Sequence, residues 1–380
     1  MATAVQIAGG NYRPRHAIAH KYGSALYVRL WHRTNDELSV WKSTDDGATW
    51  AQAGGTVYIG NGSTFYPGCG TANGSIIYVT YWHFGGSVKI ARYDMAADDW
   101  TTDLSGPTVP FSQWNQCGFR SDGTLIVVYL HTEETSPGSG TFQRKWHYWT
   151  SSSGSVALST AWQTWSSTQL DYQIGPLVVA ADDSAHFFYL RSLSGSSSAD
   201  TQLMHRRLDS GGSIGSETVA YDLAASVAFN PRGGVSMSMA SVDSVLYALT
   251  EGDGITDAPA MLHGAATGAP GTYTIHPTIA TDQQGVAKIS STAWGTWPVS
   301  QSSGEYTGVQ IGVFSSGAWG ATETVNDGTG GEPTWTWWMV SPLGTDALGF
   351  VLDDYNNEWP WFMRHPVSAG QGPAARYYAF

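Results

Sequence analysis

Charge is scarce in this chain, and positive charge most of all: 13% of its 380 residues are charged, 18 Lys+Arg stand against 31 Asp+Glu, and the formal net charge is −13. A surface of that sign repels a phosphate backbone, and no basic run or zinc-ligand spacing offsets it, so nucleic-acid binding is excluded. Cysteine is nearly absent. Cys69 and Cys117 are too few for a disulfide framework and their spacing matches no metal site, so both read as buried free thiols, with no metal and no cofactor expected. Long hydrophobic runs are missing too, and none approaches the roughly 18 residues of a membrane helix. The opening Met1-Ala-Thr-Ala-Val-Gln-Ile has neither a charged nor an apolar segment, so neither a signal peptide nor membrane insertion is expected.

Glycine and aromatic rings are plentiful, with 45 Gly and 13% aromatic residues. That composition suits short strands and tight turns, not long solvated helices. The length fits two average domains or one large all-β domain, and periodicity decides between them. A unit recurs about every 50 to 60 residues, and each runs from an aromatic or polar cluster through a strand, a Gly/Asp/Asn turn and a strongly apolar second strand. The turns are Tyr22-Gly23-Ser24, Asn73-Gly74, Asp122-Gly123, Asp182-Asp183-Ser184, Val242-Asp243-Ser244, Gln284-Gly285 and Leu343-Gly344-Thr345. Third strands such as 38–42, 88–93, 143–150, 202–207 and 308–314 follow, then short fourth strands such as 56–59, 218–221 and 322–325. Seven such hairpins predict an all-β chain, residues 1–380, forming one seven-bladed β-propeller.

The stretch Val5-Gln-Ile-Ala-Gly-Gly-Asn-Tyr-Arg-Pro14 repeats the pattern of Val57-Tyr-Ile-Gly-Asn-Gly-Ser-Thr-Phe-Tyr-Pro67. In the second stretch an outer strand leads into the next inner strand, so residues 1–10 are expected to supply the outer strand that closes the last blade. Residues 372–380, ending Arg376-Tyr-Tyr-Ala-Phe380, are left over as a tail, read as a strap over the ring or an assembly contact. The Ser/Thr/Gly/Trp-rich chemistry looks extracellular although no export signal is seen. A virion-surface or phage-tail component reconciles the two; so does a mature enzyme from which the signal has been removed.

Ser43-Thr-Asp45-Asp-Gly47-Ala-Thr49-Trp50 reads as a self-sufficient turn: Asp45 folds back on backbone N–H groups, Gly47 supplies a positive φ, and Trp50 covers the turn. The spacing S-x-D-x-G-x-T-W resembles the Asp-box (BNR) repeat of the sialidase superfamily, which implies a β-propeller and places the boxes at its periphery. Degenerate copies are read at Tyr93–Trp100 and Phe314–Trp319. Tyr12-Arg13-Pro14 resembles the opening of the sialidase pattern, which would make Arg13 a carboxylate ligand and Asp36 an acid. His32 in Leu30-Trp-His-Arg33 is similar to a histidine of seven-bladed uronate lyases such as ulvan lyase, where it would work with Tyr66 or Tyr172.

In a propeller the inner strands start around one mouth of the channel, and chemistry gathers there. The residues at those starts are Arg13, Arg15, Tyr66, Trp114, Asn115, Gln116, Gln173, Arg232, His276, Trp335 and Trp337. Aromatics, amides and a few Arg can stack sugar faces and hydrogen-bond hydroxyls or a carboxylate. The same aromatics also suit packing between blades. Glu133-Glu134 and Asp353-Asp354 read as solvated loop charges, since neighbours on a strand face opposite ways and cannot form a dyad. The expected function is recognition of a glycan or cell-surface receptor, with other virion proteins as further partners and without catalysis. The alternative is a sialidase-like hydrolase or uronate lyase, with His32, Asp36, Tyr66 and Tyr172 as its catalytic set.

Overall fold

Apolar runs bounded by glycine turns fold into antiparallel strands throughout, and no helix occurs among the described residues. The computed structural model describes the chain apart from residues 1–3, 60–66, 84–86, 109–114, 135–137, 140, 152–155, 159–162, 167–173, 193–200, 223–236, 243–244, 251–259, 266–273, 278–284, 290–291, 299–300, 303–304, 307, 316–317, 326–334, 355–358 and 368–380. Among the described residues the strands form seven antiparallel sheets. The first runs Tyr12–Tyr22, Ala25–His32, Glu37–Ser43 and Ala51–Tyr58, in chain order from one edge to the other. The first strands of the other sheets are Pro67–Asn73, Asn115–Phe119, Ile174–Val179, Met237–Val242, Gly285–Ile289 and Trp335–Leu343. Each touches the first strand of the next sheet, and Trp335–Leu343 touches Tyr12–Tyr22. The architecture is a β-propeller.

Burial explains the pattern of apolar runs. Second strands lie between neighbouring sheets and are covered on both faces, so Ala347–Asp354 is buried along its whole length and Ala25–Leu30 is buried throughout. The outermost strand Ala51–Tyr58 buries only Ala53 and Val57. Core clusters span adjacent sheets: Tyr27, Leu38 and Val40 pack with Ile77, Val79 and Tyr93. Ile7, Ala8, Ala19 and Val28 pack with Val351 and Phe362, so the first sheet meets the last. There Val5 pairs with Phe362 and Gln6 with Trp361.

The turn at residues 43–50 is built as its residue types dictate. Ser43 donates its hydroxyl to Asp45, the Thr49 N–H and hydroxyl both donate to the Asp45 carboxylate, and Gly47 N–H donates to Ser43 Oγ at 2.8 Å. These bonds, those from Thr49 first, pull the Asp45 carboxyl down to about 2. Trp50 donates its indole N–H to the Gly47 carbonyl and meets Phe362 of the last sheet edge-on at 4.9 Å. The degenerate copy at Tyr93–Trp100 docks likewise on the sheet before it, with the Trp100 indole donating to the Gly55 carbonyl at 3.0 Å.

Three expectations are corrected. Gly285 belongs to no hairpin turn: it opens the first strand of its sheet, pairing with Thr296, and Ile289 pairs with Thr292 at the other end, while Gln284 lies outside the described residues. The apolar residues of 286–289 therefore belong to an inner strand, whose burial between neighbours mimics a second strand. Asp353 and Asp354 are no solvated loop charges, because both end the strand Ala347–Asp354 with 7% and 1% exposure. Glu133 and Glu134 end the strand Leu125–Glu134, paired with Gln143 and Phe142. Cys117 is buried in the third sheet's first strand, and Cys69 lies in the strand Pro67–Asn73. The tail 372–380 falls outside the described residues.

Candidate functional site

Antiparallel pairing puts the start of each first strand beside the end of each second strand, at one mouth of the ring. The register pairs there are Tyr12 with His32, Pro67 with Tyr81, Asn115 with Tyr129, Ile174 with Tyr189 and Trp335 with Asp354. Four of these inner strands lose register next to the mouth: between Arg13 and Ile18, Pro67 and Gly70, Ile174 and Leu177, and Trp335 and Trp337. Bulges re-aim side chains and are frequent beside functional sites. The widest holds Pro14, Arg15, His16 and Ala17. Composition and periodicity carry no direct sign of these shifts, although Pro14 and Pro176 sit within two of them, where a ladder cannot use their missing N–H, and Pro67 borders a third.

The first sheet supplies the best-defined corner. Tyr12 and His32 meet edge-on at 4.7 Å, and Trp41 closes on Tyr12 at 5.4 Å. Burial, then the nearby Glu37 charge, raise the Tyr12 hydroxyl above its ordinary range, so it stays protonated. Asn35 N–H donates to His32 Nδ1 at 3.2 Å, which leaves the proton of neutral His32 on Nε2. Arg13 follows with 7% exposure, inside the wall and not projecting from it. Asp36 takes a left-handed backbone, φ +51°, that Asp tolerates, and its carbonyl accepts Ile59 N–H at 2.8 Å. Its place is the turn that carries His32.

Trp335 and Trp337 flank a bulge in the strand that touches Tyr12–Tyr22, so they share this side of the mouth. Asn115 and Gln116 start the third sheet's first strand, with Gln116 half-buried. Arg15 lies in the wide bulge. Tyr66, Trp114, Tyr172, Gln173 and Arg232 lie outside the described residues. His276 is corrected: it sits in Thr274–Pro277, the outermost strand of its sheet, paired with Met261, and so at the periphery. The β-branched Thr274-Ile275 followed by Pro277 makes an edge strand, not the opening of an inner one.

A second polar cluster, missed in the sequence, lies at the opposite end of the fourth sheet. Ser184 Oγ hydrogen-bonds Asp182, a carboxylate that only accepts, so Ser184 donates there and accepts from His186 Nε2–H at 2.8 Å. His186 Nδ1 must then accept from His205 Nε2–H at 2.9 Å, while Arg207 donates to the other Asp182 oxygen at 2.8 Å. One proton direction runs through the chain, and both rings are neutral. Burial chiefly, with help from His186 and Arg207, holds the His205 ring well below its ordinary 6.5. A base depressed in the folded state takes up a proton on unfolding, so stability is fully present above about pH 6.5 and is lost as pH falls below it. The melting temperature is expected to be flat from pH 7 to 8 and to decline from pH 6.5 toward 4. His205→Gln should flatten the upper part of that decline, and an unaltered acid slope in the variant would contradict the assignment.

No family model matches this chain, and no curated protein matches it. Among solved structures it is similar to an ulvan lyase of polysaccharide lyase family PL25, with TM-score 0.55 and 12% identity over 95% of this chain and 96% of that one. A puromycin-hydrolyzing peptidase of Mycobacterium tuberculosis superposes with TM-score 0.53 and 11% identity over 97% of this chain and 55% of that one. A Trypanosoma rangeli sialidase matches at TM-score 0.47 and 11% identity over 94% and 55%. At such identities the likeness establishes the propeller alone, and the chemistry has to be argued from the site.

Proposed function

We propose that this chain is a seven-bladed Asp-box propeller, closed by its N-terminal strand, whose mouth recognises a glycan or glycosylated receptor without processing it, as a phage-tail or virion-surface component does. The ring reading is supported by the seven sheets, by the contact of the last first strand with Tyr12–Tyr22, and by the pairing of Val5–Gln6 with Pro360–Pro366. The observation that carries recognition over catalysis is the hydrogen bond from Asn35 N–H to His32 Nδ1. A general base needs a free lone pair, and neutral His32 has spent its own, keeping only an Nε2–H to donate. Tyr12 beside it holds its proton more firmly than a free tyrosine, the reverse of what a tyrosinate base requires. A protonated phenol and an imidazole N–H beside the Trp41 ring suit sugar hydroxyls and ring faces.

The test is calorimetric titration of array-selected glycans into wild type, His32→Ala and Tyr12→Phe. Each variant is expected to weaken binding by about 0.5 to 2 kcal/mol, the scale of one hydrogen bond with its packing, while the melting temperature barely moves. Turnover of an acidic polysaccharide that His32→Ala or Asp36→Asn abolishes would promote a lyase or hydrolase in its place.

A further inference from the structure

The last sheet carries two strands more than most of the others. Gln301–Ser302 and Glu305–Tyr306 form a hairpin, and Tyr306 pairs with Trp335, the residue that opens the strand Trp335–Leu343. The opposite edge of that strand is taken by Ala347–Asp354, so the hairpin occupies the edge facing the ring axis, at the mouth. In the other six sheets the first strand stands at the end of the order, with no such partner among the described residues.

The hairpin is also dispensable to the sheet that emits it. Both short strands lie in sequence between Pro298 and Val309, yet Pro298 and Val309 are direct register partners in the neighbouring strands Thr292–Pro298 and Val309–Ser315. A two-residue turn would join them. The excursion therefore crosses from one blade to the next, adding a strand at the mouth where its own blade needs none. Short additions of this kind on a rigid scaffold are where binding selectivity is written.

We infer that the paired strands Gln301–Ser302 and Glu305–Tyr306 are a selectivity wall of the mouth, which blocks the direct path across the ring axis beside Trp335 and so admits glycan chain ends in preference to chain interiors. The inference rests on the recognition proposed above. Its test replaces residues 299–308 by Asn-Gly and compares binding of a short oligosaccharide hit with binding of the long polymer bearing the same sugars. Wild type should favour the chain end, and the excised variant should lose that preference by about tenfold or more at an unchanged fold. If the excision fails to fold, Tyr306→Pro keeps the length but removes the N–H from the pairing position with Trp335, and the same loss of preference is expected. A short-to-long affinity ratio unchanged within about twofold overturns the wall while leaving glycan recognition standing. A wild-type chain that binds no glycan ends both.

Discussion

Deleting residues 1–10 is expected to lower the unfolding free energy by about 3 to 5 kcal/mol, the combined scale of one buried isoleucine, smaller apolar groups and a few ladder hydrogen bonds. Ile7, Ala8 and Ala4 are 4%, 5% and 6% exposed, Ile7 N–H donates to the Pro360 carbonyl at 2.9 Å, and Val5 pairs with Phe362. Their loss would strip the edge of Pro360–Pro366 and uncover Phe362 and Met363, both now sealed. An exposed strand edge with an apolar face invites self-association, so the truncated chain should also elute larger. Chemical denaturation with size-exclusion chromatography checks both effects, and a truncated monomer of unchanged midpoint would contradict the role assigned to this segment.

Gly47→Ala is the second large effect. At φ +97° the backbone disfavours any L side chain, and an added Cβ would stand 2.8 Å from Phe362 Cε1 across the seam between the first and last sheets. Left-handed strain costs about 1 to 2 kcal/mol and forced repacking about 1 to 3 kcal/mol, so a loss of about 2 to 5 kcal/mol is expected. Gly23→Ala separates the two causes: φ is +60° and nothing lies within 4 Å of its Cβ, so only about 1 kcal/mol of strain applies. Equal midpoints for the two variants in urea titration would show that the contact with Phe362 carries no weight.

What the sequence disclosed follows from where burial is one-dimensional. Second strands such as Ala347–Asp354 are covered on both faces, so their apolar runs announce themselves, and the glycine turns between strands are forced by positive φ at Gly23, Gly74, Gly123 and Gly344. Gly285–Ile289 misled because an inner strand packed between neighbours carries the same apolar signature as a second strand. Asp353 and Asp354 misled because acidity argues for solvent while their position at a strand end within the mouth buries them. His276 was misplaced because a Tyr/Ile/His/Pro cluster fits an edge strand as well as a strand opening. The neutral His186–His205 pair and the hairpin against Trp335 join residues whose partnership is set by register, which composition does not encode. Arg13 was legible as a residue of the mouth's first strand, but its 7% exposure was not.

One measurement reaches recognition without processing directly: a glycan array probed with the full chain, each hit then incubated with protein and its products analysed by mass spectrometry. Saturable binding to a defined set of glycans that are recovered intact is the expected result. Shortened or unsaturated products from any hit, lost when His32 is replaced by Ala, would contradict it and establish an enzyme at this mouth.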